Sequence, residues 1–165
     1  GGYPNVYAYR FDWDEQPSIL GMDFSFLLGA GHGLEIPFVM GDFDFGRQTR
    51  FLFTKKNEYE RNKLSEIIMQ YWTHFAKEGY PSNESDNITP WEKWPKGGIN
   101  QNRIMILDTE QSNAPRMSNG YVPHNKLVSI FENDERSLKV DNKCSFLEDV
   151  YSWVDNWKIK NNVCQ

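Results

Sequence analysis

The chain has 165 residues, 39% of them apolar and 15% aromatic, and a formal net charge of −5. It is long enough to bury a core and too rich in Trp, Tyr and Phe for a disordered chain. No run of Lys and Arg exceeds Lys55-Lys56, which argues against nucleic acid as a partner, and no apolar run approaches the ~18 residues of a membrane span.

In chain order, residues 6–13 are rich in β-formers and partly alternating, and they predict a strand buried on both faces near its middle. Residues 14–31 predict a long loop whose end carries Gly31-His32-Gly33. Residues 34–40 are apolar but short, and Pro37 restricts them to a single helical turn or an irregular segment. The clearest element is a helix over residues 57–78. Leu64, Ile67, Ile68, Tyr71, Trp72, Phe75 and Ala76 fall on one apolar stripe at helical spacing. Gly79 suits the residue after its end, and Pro81 follows. Residues 80–102 predict a loop, residues 103–108 a second strand, and residues 121–133 and 143–159 two closing helices. No repeat, low-complexity tract or dividing linker interrupts the pattern, so residues 1–165 read as undivided between domains.

Among chemistry-bearing residues, His32 stands out because its flanking glycines free the backbone and leave the imidazole accessible. Glu35, three residues on, suits a carboxylate that braces the turn. His74 lies off the helix stripe and His124 sits beside Pro123, so both read as surface histidines. The histidines and the two cysteines, Cys144 and Cys164, match no metal-ligand spacing, and no metal or cofactor is implied. Asp12, Asp14, Glu15 and Asp23 read as solvated or structural carboxylates. Trp91 and Trp94 read as packing anchors. Asn83-Glu-Ser85 and Asn87-Ile-Thr89 are glycosylation sequons in a loop, a triplet common by chance.

Several ordered motifs are similar to one family. Tyr7-Ala-Tyr-Arg-Phe-Asp-Trp13 precedes His32-Gly-Leu-Glu35-Ile36-Pro-Phe38-Val39-Met-Gly41, and this pair resembles the strand and histidine loop of the type-B carboxylesterases and lipases, the cholinesterase-like family. Tyr71-Trp72-Thr-His-Phe75-Ala76-Lys-Glu-Gly79-Tyr-Pro81 resembles that family's helix end. Trp91-Glu-Lys-Trp94-Pro, Ile104-Met-Ile-Leu107 and Cys144-Ser-Phe-Leu resemble its following segments. The resemblance runs over roughly residues 3–150.

The resemblance implies an α/β class, here the C-terminal part of an α/β-hydrolase fold with a few strands of the central sheet and packing helices. It implies a serine, acid and histidine triad, with His32 as the catalytic histidine, Glu35 as loop support, and Phe24 and Leu28 approaching the substrate pocket. No Gly-x-Ser-x-Gly occurs in the chain, and in the family the acid lies further upstream than the residues that precede His32. Three expectations follow. The parent hydrolyses carboxylic esters and these residues supply only its histidine. This chain alone is inactive. Its natural partner is the N-terminal part of the same fold, without which it self-associates. The alternative is a non-catalytic, cholinesterase-like binding or adhesion module.

Overall fold

The computed structural model describes residues 5–47, 49–83, 85–95, 103–120, 124–133 and 142–150. Residues 1–120 and 121–165 form two compact units.

The first unit is built on a parallel strand pair. Strand β1 (Ala8–Phe11) pairs with β4 (Ile104–Leu107) from Ala8 opposite Ile104 to Phe11 opposite Leu107. Parallel neighbours cannot be joined by a tight turn, so the chain between them must cross over one face of the sheet. Strand β5 (Arg116–Ser118) then adds antiparallel to β4, giving the order β1-β4-β5. Both predicted strands are thus present, and β5 is an addition too short to read from alternation.

Strand β1 departs from its expected burial. Tyr9 and Arg10, at its middle, are exposed, and no strand among the described residues pairs with its outer edge. Neighbouring residues of a strand point to opposite faces. Tyr7, Tyr9 and Phe11 meet rings of the crossover, whereas Arg10 on the other face is held by Asp12, whose carboxylate accepts its Nη2 at 2.6 Å.

The expected loop at 14–31 is partly ordered. Strands β2 (Ser18–Ile19) and β3 (Met22–Asp23) form a hairpin, turned by Leu20 and Gly21 at φ +53° and +80°. Two successive left-handed residues are what a two-residue hairpin turn requires. Helix α1 (Phe24–Leu28) follows, capped by the Asp23 carboxylate, which accepts from the Ser25 and Phe26 amides. The bond from the Ser25 hydroxyl, followed by the one from the Phe26 amide, holds Asp23 below the usual carboxylate range. Helix α2 (Ile36–Met40) is the single turn expected after Pro37, and it stops at Gly41, φ +66°.

Helix α3 (Glu58–Glu78) is the crossover, ending on Gly79 at φ +78° with the Gly79 amide bonded to the Phe75 carbonyl. Of its stripe, Leu64, Ile68 and Tyr71 are buried and Ile67 and Trp72 partly so; Phe75 and Ala76 are exposed. Arg61 and Ser65, both polar, are buried as well. The Ser65 hydroxyl donates to the Phe38 carbonyl at 2.8 Å, joining α3 to α2. Arg61 donates to the Thr54 carbonyl and the Asn57 side-chain oxygen and lies 4.5 Å from the Phe43 ring centre. The core gathers Trp13, Phe38, Leu64, Ile68, Tyr71, Trp91, Met105 and Leu107. Trp91 behaves as the expected anchor, meeting Tyr7, Tyr9 and Tyr71 edge-on.

In the second unit, helices α4 (His124–Asn133) and α5 (Lys143–Val150) stack Phe131 on Phe146 at 5.1 Å. Cys144 is disulfide-bonded. Cys164 and residues 151–159 of the last expected helix lie outside the described residues, as does the His124 side chain.

Asp108, just past β4, is buried, with its carboxylate accepting the Thr109 amide at 2.8 Å. Burial raises its pKa above the ordinary carboxylate value, more than the bonds from Thr109 and Ser112 lower it. The fold therefore favours the protonated form. Its stabilising contribution is full at acid pH and is lost as pH rises through the folded-state pKa. Asp108→Asn is expected to raise the urea midpoint near neutral pH, with the gain vanishing at acid pH. A loss of stability at both would show that the charge itself is needed.

Candidate active-site histidine loop

His32 sits in the turn formed by residues 32–35, between α1 and α2. The turn is held by its own backbone. The Leu34 amide reaches the Gly31 carbonyl at 3.1 Å and the Ile36 amide reaches the Gly33 carbonyl at 3.3 Å. Gly33 takes φ +85°, a region that penalises any side chain. Gly31 is needed for space, since a Cβ there would stand 3.1 Å from the Leu28 carbonyl oxygen. Gln16 fixes the approach to the turn by donating its Nε2 to the Gly29 carbonyl at 2.7 Å.

The His32 side chain is exposed. Among the described residues its ring has no hydrogen-bond or ion-pair partner. Of the carboxylates that precede it in the chain, Asp12 is engaged by Arg10, Asp23 by the start of α1, and Glu15 by the Thr109 hydroxyl. Asp14 is exposed.

Glu35 stands at the N-cap of α2 without a side-chain capping bond; its carbonyl instead accepts the Phe38 and Val39 amides at 3.1 Å. Its carboxylate acts on Tyr9, whose hydroxyl is raised first by burial and second by the Glu35 charge. Phe24 packs its ring 4.9 Å from that of Phe51, and Leu28 is 42% exposed on α1. The turn thus brings His32 and Glu35 together, with Leu28 on the preceding helix, while Phe24 faces a later loop.

Away from the turn, a cavity of about 190 Å³ lies between β1 and α3, lined by Tyr7, Tyr9, Tyr71, Trp72 and Trp91. Sequence alone did not find it, because its rings come from three separated segments. His74, expected on the surface, is only 30% exposed and lies 3.6 Å from Asp86, with its ring against Tyr80. The helix stripe could not show this, since Asp86 comes from the following loop. Among the described residues no cluster of ligating side chains could hold a metal ion, and no helix is long and apolar enough to cross a membrane.

A helix crossing between two parallel strands, with a glycine-flanked histidine shown to solvent between the first strand and that helix, makes the first unit an α/β arrangement. The carboxylesterase family model matches residues 2–125, and the chain belongs to that family, as part of an α/β-hydrolase fold. It is 34% identical to the para-nitrobenzyl esterase of Bacillus subtilis (strain 168) over 66% of this chain and 19% of that one. It is 32% identical to the acetylcholinesterase of Danio rerio over 82% of this chain and 21% of that one. The solved structure of a PNB esterase matches with a TM-score of 0.40 and 32% identity, covering 63% of this chain and 17% of that one. The chain spans about a fifth of the length of the curated relatives it matches.

Gly33→Ala is expected to lower stability by about 1 kcal/mol through backbone strain alone, because the site has open space around the added methyl. Thermal unfolding measures it, and an unchanged midpoint would mean that the turn does not depend on this left-handed residue.

Proposed function

We propose that this chain supplies the catalytic histidine of a serine carboxylic-ester hydrolase, with the serine and the acidic residue contributed by the remainder of the same fold. The supporting observation is His32 itself: exposed, glycine-flanked, and without a ring partner among the described residues, in a chain of the carboxylesterase family. The two relatives above are named as esterases, one of them of acetylcholine.

In this reading the imidazole takes the proton of the serine hydroxyl as the oxygen attacks the ester carbonyl. It returns that proton to the departing alcohol, and repeats the cycle with water to release the acid. The carboxylate from the rest of the fold holds the other ring nitrogen. Glu35 shapes the turn through its carbonyl and takes no part in proton transfer. Phe24 and Leu28 border the ester site.

The remainder of the fold is also the natural cover for the apolar side chains around the turn. Phe26, Leu27, Leu28, Ile36 and Met40 are all exposed. An apolar surface of this kind marks an interface.

This chain alone, with no activated serine, is expected to hydrolyse p-nitrophenyl acetate no faster than its His32→Ala variant. In the longer parent protein, His32→Ala is expected to lower kcat by roughly a thousandfold or more. A parent in which His32→Ala leaves turnover intact, or that lacks a fluorophosphonate-reactive serine, would sink the proposal; the latter outcome would favour a binding module.

The isolated chain is further expected to self-associate through the uncovered face. Sedimentation velocity over a concentration series measures this, and a strictly monomeric species at all concentrations would contradict it.

A further inference from the structure

We propose, resting on the reading of His32 as the catalytic base, that Gln16 is a positioning residue for the same reaction. Its side-chain amide holds the entry to the histidine turn at a fixed distance from the scaffold and so sets where the His32 imidazole stands.

The two ends of the turn are anchored differently. On the C-terminal side, Pro37 and Phe38 of α2 are buried, and the Phe38 carbonyl accepts the Ser65 hydroxyl of α3. On the N-terminal side no residue of α1 is buried, and the Phe24 ring that meets Phe51 lies at the far end of that helix. Gln16 supplies the missing anchor. Its Nε2 donates to the Gly29 carbonyl at 2.7 Å, and among the described residues this is the one hydrogen bond that reaches residues 29–35 from outside residues 25–42. Gly29 ends α1 at φ +50°, with its amide on the Ser25 carbonyl, and His32 follows in the turn.

Gln16 is itself tied to the scaffold through the residue before it. The Glu15 carbonyl accepts the Asn57 side chain at the start of α3 at 2.9 Å, and the Glu15 carboxylate accepts the Thr109 hydroxyl just past β4. A line of hydrogen bonds thus runs from α3 and β4 through Glu15 and Gln16 to Gly29.

Stability does not account for a glutamine here. The residue is 5% exposed, and its Oε1 is buried without a partner. An apolar side chain of the same length would avoid that unpaired oxygen. Gly29 is only half-buried, so water can replace the glutamine at its carbonyl. What the amide adds is one donor at one length, and a small displacement of a reacting group is costly to turnover.

The test uses the longer parent protein. Turnover of p-nitrophenyl acetate is expressed per serine labelled to completion by a fluorophosphonate, so any unfolded fraction drops out. Gln16→Met is expected to lower kcat roughly tenfold to a hundredfold, with KM within about twofold of wild type and the thermal midpoint nearly unchanged. Gln16→Glu adds a readout that a merely structural role would not move. Asp14, Glu15, Asp23 and Glu60 line the same cleft against one cation, Lys56, so burial and these charges favour the protonated form of the new carboxyl as pH falls. Ionised, that carboxyl sets oxygen against the Gly29 carbonyl oxygen; protonated, it donates as the amide does. The ratio of its kcat to that of wild type is therefore expected to rise as pH falls, while the ratio for Gln16→Met stays flat. With His32→Ala inactive, full kcat in Gln16→Met or a Gln16→Glu ratio that does not rise overturns the positioning role and leaves the histidine's intact. Turnover retained by His32→Ala overturns the catalytic reading, and the positioning role with it.

Discussion

The parallel pairing of β1 with β4 is the constraint on which the rest of the first unit depends. The two strands lie at Ala8–Phe11 and Ile104–Leu107, so everything between them must leave the C-terminal end of β1 and travel back along the sheet to enter β4 at its N-terminal end. Helix α3 lies on that route, and its inner residues Leu64, Ile68 and Tyr71 meet Met105 and Leu107 of β4 in one core. The histidine turn is a by-product of the same route. It lies after β1 and before α3, where the chain is changing direction and a backbone can expose a side chain without leaving the ladder. A loop on a rigid scaffold is the usual place for a reactive group.

The route from β1 into α3 is held by buried polar groups as well as by apolar packing. Asn57, 6% exposed, donates to the Glu15 and Leu52 carbonyls at 2.9 and 2.8 Å and accepts the Thr54 amide at 3.1 Å. Arg61, one helical turn later, bonds both Asn57 and Thr54 and covers the faces of Phe43 and Phe53. Burial lowers the Arg61 pKa. It nevertheless keeps its charge, because a guanidinium starts so far above neutrality. The node ties the segment after β1, the segment before α3 and α3 itself at one place. Losing one partner would leave another buried and unpaired, which costs more than the bond itself contributes. Phe38 completes the arrangement: its ring meets Phe11, Trp13 and Phe43, and its carbonyl accepts Ser65.

What could be read from sequence follows the length of each element. Helix α3 repeats its signal over 21 residues, so its range and glycine stop were visible. Strands β1 and β4 have four residues each, enough to be placed but not enough to give their burial, which depends on neighbours supplied elsewhere. The hairpin β2–β3 has two residues per strand, and α1 is a little over one turn; neither offers a period to detect. The buried Arg61 and Ser65 were illegible for a different reason. Their partners are carbonyls at Thr54 and Phe38, and backbone acceptors leave no mark in a sequence. At the candidate site, His32 was marked by its glycines and by the motif around it. The mode by which Glu35 shapes the turn was not, because the contact belongs to its carbonyl.

The turn's geometry and its chemistry have separate origins. Backbone bonds within residues 25–42 set the course of the chain: Gly29 to Ser25, Leu34 to Gly31, Ile36 to Gly33 and Asp42 to Pro37. None of these needs a second chain, so the backbone course around His32 is a local property of the sequence. The state of its ring is not. An imidazole works as a general base only when one nitrogen is free and the other is held in a known tautomer, a job done by a hydrogen bond on that second nitrogen. No described residue makes that bond, and Asp12, Glu15 and Asp23 are each committed to another donor. The surrounding apolar surface leads to the same division. Phe26 and Met40, 79% and 67% exposed, lie on the helices before and after the turn, so the surface left open beside His32 includes large apolar side chains. A covering partner would thus bring two things at once. Burying those side chains would lower the dielectric around His32, and in that setting one correctly placed carboxylate fixes the ring far more firmly than it could in water.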